Sequence, residues 1–336
     1  YDGARFTVGP DSAGANPGPR CYRRGGPLAV TDANVMVGKL VPDFFPSIFG
    51  PNQDEPLDAQ AVREAFTRLA AAIGDGRSPE EVADGFLRIA VANMAEAIKK
   101  ISVQRGYDVT GYALNCFGGA GGQHACLVAD ALGMKTVLIH PLSGLLSAYG
   151  IGLADIRAVR QASLDVPLDA SHAAIREAGD RLGETCIEEL TGQGVPIGDI
   201  HVRVRAHVRY AGTDTSLDVP AYDMRGRAAG DSHLAGMREA FETAHKRRFG
   251  FIDPSKDLVV EAVSVEAIGG GARFEEKAAS ATGSGAPAPA RTTRFYSNGA
   301  WHEAGIHLRA DIAPGQRIAG PAIVIEANQT IVVEDG

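Results

Sequence analysis

Apolar positions recur at helical spacing early in this chain and at strand spacing late in it. Val62, Phe66, Leu69 and Ile73 lie three or four apart, which predicts a helix over 58–73. The stretch Ser78-Pro79-Glu80-Glu81 then supplies a serine N-cap, a proline at the first helical position and a glutamate that closes a capping box. The helix it opens is expected to run to about Gln104, burying Val82, Phe86, Ile89, Met94, Ile98 and Ile101. A shorter helix is expected over 31–40, with Thr31 or Asp32 as its N-cap. Before these helices, residues 1–56 are dense in Gly, Pro, Asp and Asn, which reads as an ordered loop.

A strand-turn-helix-strand unit follows. YALNCF (112–117) reads as a strand, GGQHACLVADAL (121–132) as a helix closed by Gly133, and KTVLIH (135–140) as a parallel second strand. After Asp155 the period becomes two. Strands are expected at 158–166, 201–212, 213–220 and 258–268, with helices at 172–192 and 232–248. The alternation in 201–209 implies a sheet with one wet face. AASATGSGAPAPA (278–290) has linker composition, and residues 291–336 read as short strands turning at Asn298-Gly299 and Pro314-Gly315. The fold class expected is α/β: an α/β region over 1–157, an α+β domain over 158–277, a linker over 278–290 and a small β module over 291–336.

Composition narrows the function classes. The chain has 336 residues, with 33 basic against 41 acidic side chains and a formal charge of −8, which argues against a nucleic-acid surface. No apolar run reaches membrane-spanning length and no signal peptide opens the chain, so a cytoplasmic setting without a membrane partner is expected. Cys21, Cys116, Cys126 and Cys186 form no CxxC pair and read as packing thiols. The chain opens at Tyr1 and stops at Gly336 within a strand-like pattern, as a piece of a longer protein would.

The stretch that points to chemistry is NCFGGAGGQHAC (115–126). Glycines at a strand's end, leading into a helix, admit positive φ and let a ligand approach the backbone closely. No Lys-Ser or Lys-Thr follows, which excludes a P-loop. With glycines at 119 and 121, the third glycine of a dinucleotide fingerprint would fall on His124, which excludes that motif too. A nucleotide-binding turn and a turn built only for tight packing both remain open from these residues alone.

Longer blocks carry a resemblance. VGPDSAGANPGPRCYRRGGPLAVTDANVMVGKL, FGPNQDEPLD, NCFGGAGGQHACLVADALGMKTVLIH, SGLLSAYGIGLAD and FETAHKRRFGF together resemble the hydantoinase A family. FGGAGGQHA points to its ATP-dependent 5-oxoprolinase branch, and looser agreement extends to AGPAIVIEANQTIVV. The resemblance implies a partial actin-like ATPase, its second lobe, in residues 1–157. It assigns Gly118, Gly119, Gly121 and Gly122 to the base-and-ribose end of ATP, with Gln123 and His124 beside them. It further implies Mg²⁺ as cofactor, 5-oxoproline or a related cyclic amide as substrate, a hydantoinase B region or subunit as partner, and an oligomeric complete enzyme. An ATP-dependent enzyme of this type phosphorylates the amide oxygen so that water can open the ring. This chain alone is expected to be inactive, since the leading phosphate-binding turns and the B part are not in it. A hydantoinase, an acetone-carboxylase-type subunit and a non-enzymatic assembly module are the alternatives.

Around that turn the candidates divide. Asp32 and Asn34 either face the cleft, with Asp32 near a magnesium-bound water, or simply cap a helix. Arg23 and Arg24 could clamp phosphate or a substrate carboxylate, while Arg20 departs from the family pattern. Asp32 and His124 are the candidate catalytic groups, His124 more in positioning than in proton transfer. His140, Ser143 and Ser147 lack a nucleophile elbow and an acid partner, so no hydrolase triad is read there. His245 is expected at a surface or interdomain contact.

Overall fold

A computed structural model describes residues 1, 3, 5–226, 228–271 and 280–335. The chain divides into two compact units, Tyr1–Tyr149 with Lys277–Gly336, and Gly150–Glu276. In the first, α1 (Val30–Met36), α2 (Ala59–Ile73) and α3 (Pro79–Ile101) pack on one another. Ser78 and Glu81 make the expected capping box, and Asp58 caps α2 through Ala61 N–H. The apolar stripe of α3 matches the predicted one in part: Val82 is buried and Phe86 and Ile98 pack against the core, but the stripe is filled out by other residues. Val82, Ala83, Leu87, Ala90, Val91 and Ala95 face inward, whereas Met94 and Ile101 are exposed. Alanines let neighbouring backbones approach closely, and a search for large side chains passes over them.

The parallel unit is shorter than predicted: β1 (Leu114–Cys116), α4 (Ala125–Leu132) and β2 (Val137–Ile139), with a single 3₁₀ turn at Gly121–Gln123. Gly133 ends α4 in the left-handed conformation, as its position requires. The division between the units falls within α5 (Leu146–Leu153).

The second unit is an antiparallel sheet in the order β3-β7-β4-β5-β6, formed by β3 (Ile156–Pro167), β4 (His201–Tyr210), β5 (Leu217–Arg225), β6 (Ala228–Ser232) and β7 (Leu258–Gly269). Two helices, α6 (His172–Gly192) and α7 (Met237–Phe249), pack against it. Along β4 the even positions Val202, Val204, Ala206 and Val208 are buried in the core, while His201 and Arg203 stay wet, as the alternation predicts. His245 is not a surface residue. It is buried among Tyr210, Phe241, Phe249 and Phe251, and its Nδ1–H donates to the Phe251 carbonyl at 2.8 Å. Basic neighbours in sequence hid an apolar helix face.

The chain then returns to the first unit as a sheet of β8 (Arg291–Ser297), β9 (Ala300–Leu308), β10 (Ala322–Glu326) and β11 (Gln329–Val333), ordered β11-β10-β9-β8. Asn298 and Gly299 both take positive φ in the β8–β9 hairpin, and Gly315 does so after Pro314. Over the linker-like stretch, Thr282 and Gly283 donate to Pro314 O and Ala290 donates to Ile306 O, so this backbone is tied to the module; residues 278 and 279 lie outside the described ones. Tyr296 N–H donates to Val37 O at 2.7 Å, and Phe295 packs with Val41. Lys39, completely buried, reaches Ser297 Oγ at 3.0 Å and Glu334 Oε1 at 2.6 Å.

Candidate functional site

The glycine turn is not bare. Gly118 N–H donates to Ser143 O, Gly121 N–H to Gly118 O, Gln123 N–H to Ala120 O and His124 N–H to Gly121 O. Gly118 takes φ +90°, a conformation that favours glycine. The other glycines make room for protein. A Cβ on Gly119 would lie 2.9 Å from Asn328 O, one on Gly122 2.7 Å from Thr330 O, and one on Gly121 3.0 Å from Cys116 Sγ. A Cβ on Gly144 would meet the same Asn328 carbonyl at 2.8 Å. The tip of the β10–β11 hairpin is therefore seated between two glycine loops, where only hydrogen side chains leave space for it. Ser143 Oγ–H donates to Gln329 Oε1 and locks that seat.

An open cavity of about 540 Å³ remains beside the turn. Gly119, Ala120, Gln123 and His124 form one wall, Asn34 another, and the hairpin residues Glu326 to Thr330 a third. Tyr22, Leu40, Phe44, Phe45 and Phe49 make the remainder largely apolar and aromatic. No lysine or arginine among the described residues lines it.

His124 is buried in that wall, and Asn34 meets its Nε2 at 3.2 Å. Burial lowers the imidazole pKa to about 4, with the nearby Lys39 ammonium adding to the shift. The ring is therefore neutral near pH 7, accepts the Asn34 amide N–H at Nε2 and carries its proton on Nδ1. Asn34 Oδ1 and Gln329 Nε2, on two residues that line the cavity, have no hydrogen-bond partner within the protein. The His124 shift sets a pH dependence. The unfolded imidazole takes up a proton near its ordinary pKa, and the folded one only near 4. Stability is then fully present above about pH 6.5 and falls as pH drops toward 4, by roughly 3 kcal/mol in all. Urea titrations from pH 7 to 4 should show this slope in the wild type and a flatter one in His124→Gln.

The other sequence candidates lie elsewhere. Asp32 is fully buried, and its carboxylate accepts from Arg20, Cys21 and Ala29 N–H at 2.8–2.9 Å. It sits in the first turn of α1, not at its N-cap, and staples the preceding loop to that helix. Arg23 holds Pro56 O, Glu55 and Asp58, and Arg24 reaches Gly50 O and Ala15 O; neither lines the cavity. The Asp32 oxygens are spent on backbone N–H groups, so Asp32 does not fit as a Mg²⁺ ligand, and no group of three or more His, Cys, Asp or Glu side chains converges among the described residues. His140 and Ser143 serve the loop, through Leu142 N–H and Gln329. Sequence reading missed the hairpin residues of the wall, although EANQT between alternating apolar runs is itself a hairpin signal. No helix among the described residues is long and apolar enough to cross a membrane.

Comparison with known proteins agrees with this architecture. Residues 1–160 match the hydantoinase/oxoprolinase family and residues 163–336 match the hydantoinase/oxoprolinase C-terminal domain; the chain belongs to that family. It is 40% identical to 5-oxoprolinase 1 of Arabidopsis thaliana over 98% of its own length, which is 26% of that relative. The chain thus spans about a quarter of the length of such curated relatives. Among solved structures, nucleotide-free acetone carboxylase superposes with a TM-score of 0.82 at 22% identity, covering 99% of this chain and 48% of that one. The ATP-dependent caprolactamase from Pseudomonas jessenii superposes at 0.66 with 29% identity, covering 100% and 48%.

Proposed function

We propose that this chain is part of an ATP-dependent cyclic-amide hydrolase of the 5-oxoprolinase type, and that the cavity beside residues 119–124 takes the adenosine end of ATP. One observation carries the placement. The cavity combines aromatic and aliphatic walls with amide and imidazole groups and one carboxylate, Glu326, and no cation among the described residues lines it, which suits a planar base and ribose and not a triphosphate. The phosphates would then extend beyond this lining, toward groups that this chain's cavity does not supply. The names of the relatives, 5-oxoprolinase and ATP-dependent caprolactamase, support the reaction class. The parallel strand-turn-helix-strand unit supports an actin-like lobe over residues 1–157, with the turn at a strand's carboxyl end. The complete enzyme would phosphorylate the amide oxygen of 5-oxoproline and hydrolyse the activated ring to glutamate, with a hydantoinase B part as partner.

Calorimetry with adenosine and with ATP tests the placement. Ala120 lines the cavity and is exposed, so Ala120→Phe should weaken adenosine at least about tenfold while leaving the fold intact. Equal affinities for wild type and variant would place the nucleoside elsewhere.

A further inference from the structure

A second cavity, of about 380 Å³, lies on the other side of the same hairpin tip. It shares Glu326, Ala327 and Asn328 with the glycine-turn cavity, so the two spaces have a common wall. Its far side is apolar: Leu142 and Leu145, both exposed large side chains, and Leu308. Its polar groups are opposed. Arg309 Nε stands 3.5 Å from Glu326 Oε1, a separation too long for a good hydrogen bond, and this is the guanidinium's one ionic partner among the described residues. The guanidinium is about half exposed, while the Glu326 carboxylate is mostly withdrawn from water.

We infer that this second cavity binds a small cyclic amide carrying a carboxylate, with Arg309 holding the carboxylate and the leucines covering the ring. A planar guanidinium with free N–H groups matches a carboxylate in two-point geometry, which an ammonium cannot reproduce. The Glu326 carboxyl on the shared wall is left to accept the ring amide N–H. Burial raises its pKa above the ordinary carboxylate value, with Arg309 drawing it partly back. The inference rests on the proposed function only in its choice of cyclic amide. The cavity, its cation and its apolar wall stand without it.

The test compares three probes on the full chain by calorimetry or ligand-detected NMR: 5-oxoproline, 2-pyrrolidone, which is the same lactam without the carboxylate, and adenosine. Wild type should prefer 5-oxoproline over 2-pyrrolidone by about tenfold or more. Arg309→Gln should abolish that preference, with adenosine affinity unchanged within about twofold. Equal binding of the two lactams by wild type, or retention of the preference in Arg309→Gln, overturns the inference; the wild-type comparison needs no variant to fold. Adenosine binding without any lactam binding overturns this inference and leaves the nucleoside cavity standing. Lactam binding with its Arg309 dependence but no adenosine binding does the reverse.

Discussion

Replacing Lys39 with methionine should be the most destabilising single change in the first unit. The ammonium is completely buried and bonded to Ser297 and to a Glu334 carboxylate that is itself nearly buried. Removing one member of such a pair strands the other charge in low dielectric, which costs about 3–5 kcal/mol. For a unit of this size that corresponds to a fall of about 10 °C in Tm, measurable by calorimetry or circular dichroism. The double variant Lys39→Met with Glu334→Leu should recover much of the loss, because it strands no charge. Equal instability of the double and single variants would mean that Lys39 acts through packing and not through its charge. The consequence reaches the site, since this pair ties the segment carrying Asn34 to the sheet carrying the hairpin.

Gly122→Ala should have the next largest effect. Its Cβ would stand 2.7 Å from Thr330 O and 3.0 Å from Gln329 Nε2, and a backbone carbonyl cannot swing aside as a flexible side chain can. Overpacking of this kind costs typically 1–3 kcal/mol. The hairpin is what must give, so amide exchange at residues 329–333 should accelerate and adenosine affinity should fall together. Gly150→Ala is the control. Nothing lies within 4 Å of where its methyl group would stand, and the position is helical, so the change should be neutral or slightly stabilising. Unchanged exchange at 329–333 in Gly122→Ala would show that the hairpin does not depend on the seat.

Local order was written plainly in this chain. The Ser78-Pro79-Glu81 start, the Gly133 stop, the alternation in β4 and the Asn298-Gly299 turn each depend on neighbours within a few residues, and each is where its residue types place it. The site was legible only in half. Gly119, Gln123, His124 and Asn34 come together as candidates, because loop glycines and buried polar residues stand out in a sequence. What completes the wall is a hairpin about two hundred residues further on, and no periodicity encodes that long-range contact. The same blindness governs Asp32 and the arginines. A carboxylate that staples three backbone amides has the same letter as one that binds a metal, and only its partners distinguish them. The glycines themselves carry both meanings: Gly118 serves backbone conformation, Gly122 serves the hairpin, and Gly119 serves the hairpin and the cavity at once.

Titrating adenosine into the ¹⁵N-labelled chain addresses the nucleoside cavity most directly. Saturable shifts should appear at the backbone amides of Gly119 and Ala120 and at the side-chain amides of Asn34 and Gln123, with the α6 and α7 amides unmoved. Shifts confined to other parts of the chain, or none at millimolar adenosine, would contradict the assignment of this cavity to the base and ribose of ATP.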